Sequence, residues 1–143
     1  MFYDTGLNLV TPSLKNDIEF GLANEYPVIY KLSQHFNETI EKTKEKYCQY
    51  DAFSLTTKYE IKSRRCKSST YDTTILPVHK VANINDRLVF VFHFTDGLFY
   101  IVYDKELFDK FEKRNVTYYR EGIANNAVLH FFIPIKNLIE IIL

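Results

Sequence analysis

Two apolar runs, Arg87-Leu-Val-Phe-Val-Phe-His-Phe-Thr95 and Leu98-Phe-Tyr-Ile-Val-Tyr103, surround the dipeptide Asp96-Gly97. Asp-Gly between such runs is a strong hairpin signal. The runs are rich in β-branched and aromatic residues, which fit a pleated surface. Their near-continuous apolar character implies strands covered on both faces. His93 within the block is expected to be a satisfied core or edge histidine, since no acidic or nucleophilic neighbour points to catalysis.

The rest of the chain is of a size and kind to supply those covers. Its 143 residues suit one domain over 1–143, and 46% hydrophobic with 16% aromatic residues is enough for a packed core. Four glycines and four prolines give no sign of a disordered chain. No run of about 18 apolar residues occurs, so no membrane span is expected. The opening Met1-Phe-Tyr-Asp-Thr-Gly6 lacks the basic and apolar blocks of a signal peptide. Cys48 and Cys66 have no metal spacing and fit a reducing, intracellular setting, with a disulfide between them as the alternative.

Ser13 can cap a helix beginning near Leu14. Ile18, Leu22, Glu25, Ile29, Leu32 and Phe36 then recur at helical spacing on one face. Glu25 interrupts this apolar stripe, where a carboxylate is costly unless paired or coordinated. Pro27 should kink or split the helix near that point. Residues 37–46 are charged with mixed sign and could extend the helix or form an edge strand.

Tyr50–Leu55 and Tyr59–Ser63 read as a second hairpin around Thr56-Thr57-Lys58. Glu60 and Lys62 project from one face because side chains alternate. A two-residue loop at Thr56-Thr57 would pair Asp51 with Lys62 and bring Asp51 to the same face. A shift of one residue would send it to the other. Two acids beside one lysine can hold a hard divalent cation and poise a water next to it. Beyond them, Lys58, Lys62, Arg64, Arg65 and Lys67 stand against the single acid Glu60, a basic concentration in a chain of zero net charge. That suits a polyanion held over the acidic cluster, or a solvated strand end.

Asp51, followed on the next strand by Glu60-Ile61-Lys62, resembles the PD-(D/E)xK nuclease superfamily, which includes restriction endonucleases and archaeal Holliday-junction resolvases. Tyr50 stands where the usual proline would precede the aspartate. The resemblance covers roughly residues 14–84. It implies an α/β fold, restriction-endonuclease-like, with a mixed central sheet flanked by helices. It also implies a metal-dependent endonuclease acting on DNA, RNA not being excluded. Asp51, Glu60 and the Ile61 carbonyl would bind Mg²⁺, with Mn²⁺ as a substitute. Glu25, from the first helix, would join them directly or through water; otherwise it salt-bridges a lysine or arginine at the kink. Lys62 would position the attacking water or contact the scissile phosphate. Arg64, Arg65 and Lys67 would take flanking phosphates, and Lys80 would approach the substrate. A homodimer would let two sites address two strands. A module of the same fold that binds nucleic acid or assembles without catalysis is the alternative; a ligand-binding α/β domain with no nucleic-acid role is a third.

The remaining segments carry structure more than chemistry. Lys67–Thr74 reads as a polar loop. Pro77–Ile84 reads as a short helix holding Lys80 and His79, the latter expected to pack or face solvent. Asp104–Asn115 is expected to be an amphipathic helix with Leu107, Phe108 and Phe111 inward. Val116–Tyr119 reads as a short strand, Gly122–Asn126 as a turn, and Ala127–Ile135 as a further strand. Leu138–Leu143 is expected to be a helical tail whose apolar residues need a partner surface, within the domain or in a dimer.

Overall fold

The computed structural model describes residues 25–45, 48–82, 85–117 and 127–142. The hairpin at the centre of the sequence is the spine of a mixed sheet. Strand β5 (Arg87–Phe94) runs antiparallel to β6 (Gly97–Val102). The turn consists of Thr95 and Asp96, with Gly97 already paired to Phe94. A side chain at Gly97 would crowd the Phe99 ring at 3.2 Å and Glu140 at 3.3 Å. Asp96 is not only a turn residue. Its carboxylate accepts from the Ser68 amide and hydroxyl, both at 2.8 Å, and these bonds hold its pKa down. The polar 67–72 loop is thereby tied to the hairpin end.

The other strands are β1 (Glu41–Lys42), β2 (Ala52–Phe53), β3 (Thr57–Ser63), β4 (Thr73–Pro77), β7 (Glu112–Thr117), β8 (Ala127–Pro134) and β9 (Ile139–Ile141). They form a six-stranded sheet in the order β1-β2-β3-β5-β6-β9 and a three-stranded sheet in the order β4-β8-β7. The β3–β5 pair is parallel and the rest antiparallel, so the larger sheet is mixed.

Alternation along β5 divides the core. Val89 and Val91 face a helix, α1, which spans residues 25–36 in the described chain and buries Val28, Ile29 and Leu32 against them. Pro27 lies in the first described turn of the helix, and the expected segment from Leu14 to Asn24, on which the expected kink or split near Glu25 depends, lies outside the described residues. It ends because Asn37 takes a positive φ of 52°, and the Glu38 amide bonds back to the Ser33 carbonyl at 3.2 Å. Asparagine tolerates this conformation better than most residues.

Leu88, Phe90, Phe92 and Phe94 face the other way, against Leu76, Phe131 and Ile133 of the smaller sheet and Phe108 of helix α2 (Lys105–Asp109). Among the described residues α1 covers one face, and the smaller sheet with the short helix α2 covers the other. The fold is mixed α/β, with strands predominating.

Three expected helices take other forms. The amphipathic segment after Asp104 is helical only to Asp109, and Glu112–Thr117 pairs with β8. Glu112–Thr117 holds one apolar residue, Val116, so its own pattern fixes neither helix nor strand, and pairing with β8 decides. The tail at Ile139–Ile141 is a strand beside β6, which satisfies its backbone at the sheet edge and buries Ile141. Pro77–Ile84 shortens to a 3-10 turn at Val78–Val81, and Thr73–Leu76, expected to begin in a loop, joins β4. Residues 118–126, with the expected turn and the end of the Val116–Tyr119 strand, lie outside the described residues. Cys48 and Cys66 are free thiols. No helix among the described residues is long and apolar enough to cross a membrane.

Candidate functional site

The β2–β3 hairpin turns one residue earlier than expected. Ser54 and Thr57 close it: the Ser54 amide donates to the Thr57 carbonyl at 2.8 Å, and Ser54 Oγ accepts from the Thr57 amide at 3.2 Å. The loop is therefore Leu55-Thr56. Ala52 pairs with Tyr59 and Phe53 with Lys58. Relative to the expected pairing the register moves by two residues, which preserves the face. Asp51 lies just beyond the last pair, Ala52 with Tyr59, and is no longer expected opposite Lys62, while Glu60 and Lys62 share one side of the sheet.

That side looks toward the smaller sheet. Across β3–β5, Glu60 lies beside Phe90 and Lys62 beside Phe92. Glu60 is thus enclosed, with 1% of its surface exposed. Its Oε1 lies 3.2 Å from Lys62 Nζ and 3.3 Å from Lys80 Nζ. Neither carboxylate oxygen has a hydrogen bond among the described residues, so both contacts are ionic rather than well-directed. A buried carboxylate with unfilled lone pairs is costly, and native proteins hold such groups where a cation or solvent completes them.

Asp51 is held by the backbone of the same strand. Its Oδ2 accepts from the Ile61 amide at 2.7 Å, and its own amide donates to the Tyr59 carbonyl at 2.9 Å. The amide and carbonyl of one residue in a strand point the same way. The Ile61 carbonyl therefore faces the Asp51 side, beyond the last β2 pair. Burial draws the Lys62 pKa down; Glu60 and Asp51 pull it up, and Lys80 pushes it down again. Lys62 is therefore readier to yield a proton than a surface lysine.

Lys80 reaches this cluster from the 3-10 turn and also donates to the Gln49 carbonyl at 3.5 Å. Glu25 is placed elsewhere. Its carboxylate accepts from Lys42 Nζ at 2.8 Å, and Lys42 pairs with Ala52, whose side chain faces α1. The expected apolar-stripe carboxylate is thus paired with a lysine, across the sheet from Glu60. Among the described residues no three Asp, Glu, His or Cys side chains gather as a metal-holding group.

Arg64 is turned to a structural task, donating to Thr74 Oγ1 at 3.2 Å and the Ile75 carbonyl at 2.7 Å, over the Phe92 ring. It clips β3 to β4. Arg65 and Lys67 are exposed beyond the strand end. Comparison with protein-family models, curated proteins and solved structures finds no match for this chain.

Two histidines belong to the neighbourhood and were not singled out as site residues. His79 precedes Lys80, and His130 lies on β8, fully buried and paired with Pro77. The Val128 carbonyl, 2.7 Å from His130 Nδ1, can only accept, so Nδ1 carries the proton and neutral Nε2 is an acceptor. Burial depresses both pKa values, and the nearby Lys62 cation adds to this in each. The one sequence signal for His130 is its place in an apolar run, which does not separate a site histidine from a core one. His93, expected to be satisfied, faces α1, and its buried Nδ1 has no hydrogen-bond partner among the described residues.

The depressed His130 value gives a stability prediction. The unfolded chain holds this proton more tightly than the folded one. Stability is therefore complete above the ordinary value of 6.5 and falls as pH drops below it. His79 and His93 act in the same direction. Urea midpoints are expected to fall from pH 7 to pH 5, with His130 contributing at most about 1.4 kcal/mol per pH unit. His130→Gln should flatten that slope; an unchanged slope would assign the acid sensitivity elsewhere.

Proposed function

We propose that this protein is a metal-dependent phosphodiester hydrolase acting on DNA. The observation that carries the reading is the buried Glu60 carboxylate, with neither oxygen hydrogen-bonded among the described residues, on the same sheet face as Lys62 and near Asp51, which accepts from the Ile61 amide. Asp51, Glu60 and the Ile61 carbonyl offer oxygen donors only, a set that fits Mg²⁺ or Mn²⁺. When bound, such an ion would neutralise charge at the phosphate and make water a better nucleophile.

The chain's own groups divide the rest of the work. Lys62, with its lowered pKa, would orient the attacking water or pair with the scissile phosphate. Lys80, which contacts the same Glu60 oxygen as Lys62, would share the phosphate charge. Arg65 and Lys67, exposed beyond the strand end, would contact flanking phosphates; Arg64 is committed to β4. The restriction-endonuclease-like assignment of the fold rests on the Asp51, Glu60, Lys62 pattern and the mixed sheet that bears it. A homodimer with paired sites belongs to the same proposal.

A second reading has its own support. Glu60 already sits between two ammonium groups, and that ion network is itself a reason to retain all three side chains. The chain would then be a binding module without catalysis. Nicking of supercoiled plasmid and cutting of branched and single-stranded DNA, with Mg²⁺ or Mn²⁺ and with EDTA, separates the two. Under the hydrolase reading, Asp51→Asn should lower the rate about 10²–10³-fold, as expected when one charge-stabilising group is removed at a reacting centre. Cleavage that survives Asp51→Asn and EDTA would defeat the hydrolase reading. Binding with no cleavage would establish the module.

A further inference from the structure

A groove of about 540 Å³ opens at the β1–β2 edge of the large sheet. Its walls hold three aromatic rings, Tyr26, Tyr50 and Phe53, interleaved with Lys42, Lys44 and Lys58. Tyr26, on the first turn of the described α1, is 65% exposed. Tyr50 and Phe53 stand edge to face with centroids 6.5 Å apart, and Lys58 Nζ lies over both, at 4.7 and 5.4 Å. Lys42 Nζ lies 4.9 Å from the Tyr26 ring while bonded to Glu25.

Tyr26 is exposed, and Tyr50 and Phe53 are half-buried beneath the Lys58 ammonium. Such rings are what successive unpaired bases stack upon. Lys44 and Lys58 have no ion pair to a carboxylate among the described residues, which leaves both for phosphate oxygens. The groove borders the segment that carries Asp51. Tyr50 lines it, Asp51 follows Tyr50, and the Gln49 carbonyl accepts from Lys80.

We infer that this groove binds single-stranded nucleic acid, stacking bases on Tyr26, Tyr50 and Phe53. The inference deepens the proposed function: it makes unpaired strands, or the frayed strands of branched DNA, the preferred substrate. Glu41 and Glu45 also border the groove, so its field is weak and the bases supply most of the affinity. With Lys44 and Lys58 as phosphate contacts, the slope of log affinity against log salt should be about −1.4, shallow for a nucleic-acid protein.

The test is fluorescence anisotropy with a short labelled oligothymidylate, the matching oligouridylate, a duplex of equal length and an abasic strand, in EDTA so that nothing is cut. The single strands should bind roughly tenfold more tightly than the duplex and the abasic strand. Tyr26→Ala should remove most of that difference and Tyr26→Trp should keep it; Tyr26 is exposed enough for both to fold, which circular dichroism checks. Tyr50→Ala is the second probe. Preference for either sugar supports the groove equally. An abasic strand bound as tightly as oligothymidylate, or full affinity in folded Tyr26→Ala and Tyr50→Ala, overturns it. The same strands with Mg²⁺ keep the two ideas apart. Tyr26-dependent binding without cleavage sinks the hydrolase and leaves the groove, whereas cleavage indifferent to bases and to Tyr26 sinks the groove and leaves the hydrolase.

Discussion

Glu60→Gln is expected to destabilise the fold by about 3–5 kcal/mol, the range for removing one member of a buried ion pair. Glutamine has nearly the shape of glutamate, so the effect isolates charge. Glu60 is enclosed and lies within 3.3 Å of two ammonium groups. Neutralising it leaves Lys62 and Lys80 to repel each other in a poorly solvated space, with Asp51 as the nearby counter-charge acting on Lys62. The Lys62 pKa, already lowered, should fall further. Adding Lys80→Met should recover a large part of the loss, because it removes the repulsion. Urea unfolding of the wild type, the single variant and the double variant measures the coupling. Equal midpoints for wild type and Glu60→Gln would mean that the lysines move to solvent. In that event the enclosed cluster does not persist in solution. Below the unfolding transition, Glu60→Gln should also abolish metal-dependent cleavage if the hydrolase reading holds.

Phe108→Ala is expected to cost about 3–5 kcal/mol, the usual price of removing a buried aromatic ring. Phe108 is fully buried and touches Phe90 of the large sheet, Tyr103, Phe111 and Phe131 of the small sheet, with centroids 4.9–6.0 Å apart. It is the joint between the layers. Helix α2, only five residues long, is too short to be stable by itself, and the Asp104 side chain accepting from the Leu107 amide adds one cap bond. Its anchoring therefore depends on this ring. Phe108→Leu, which keeps much of the volume, should cost less than half as much. Thermal or urea unfolding gives the comparison, and similar costs for the two variants would place the loss in the helix rather than in the packing. Since Phe131 adjoins His130 on β8, Phe108→Ala should also loosen His130 and shift its titration toward the ordinary value.

Where sequence and structure agree, local chemistry was sufficient. The β5–β6 hairpin needed only its apolar runs and a turn-forming Thr95-Asp96-Gly97 segment. The inward face of α1 followed from Ile29, Leu32 and Phe36 at helical spacing. Glu60 and Lys62 share a face wherever the turn falls, because they stand two residues apart on one strand. Where they differ, the deciding partner is distant. Glu112–Thr117 could satisfy helix or strand, and β8 chose strand. Ile139–Ile141 has the apolar residues of either, and the open edge of β6 chose strand. Arg64 reads as a phosphate ligand until β4 lies beside it and supplies acceptors.

The sequence by itself determined that Glu60 and Lys62 share one side of a β-strand, since period-two geometry depends on nothing beyond the strand. Tertiary structure alone decided that this side is enclosed, that Lys80 and His130 join it, and that Glu25 turns to Lys42 instead. Enclosure and convergence depend on which elements pack together across many residues of chain. Burial, not residue type, then sets the charge balance of Glu60 and Lys62.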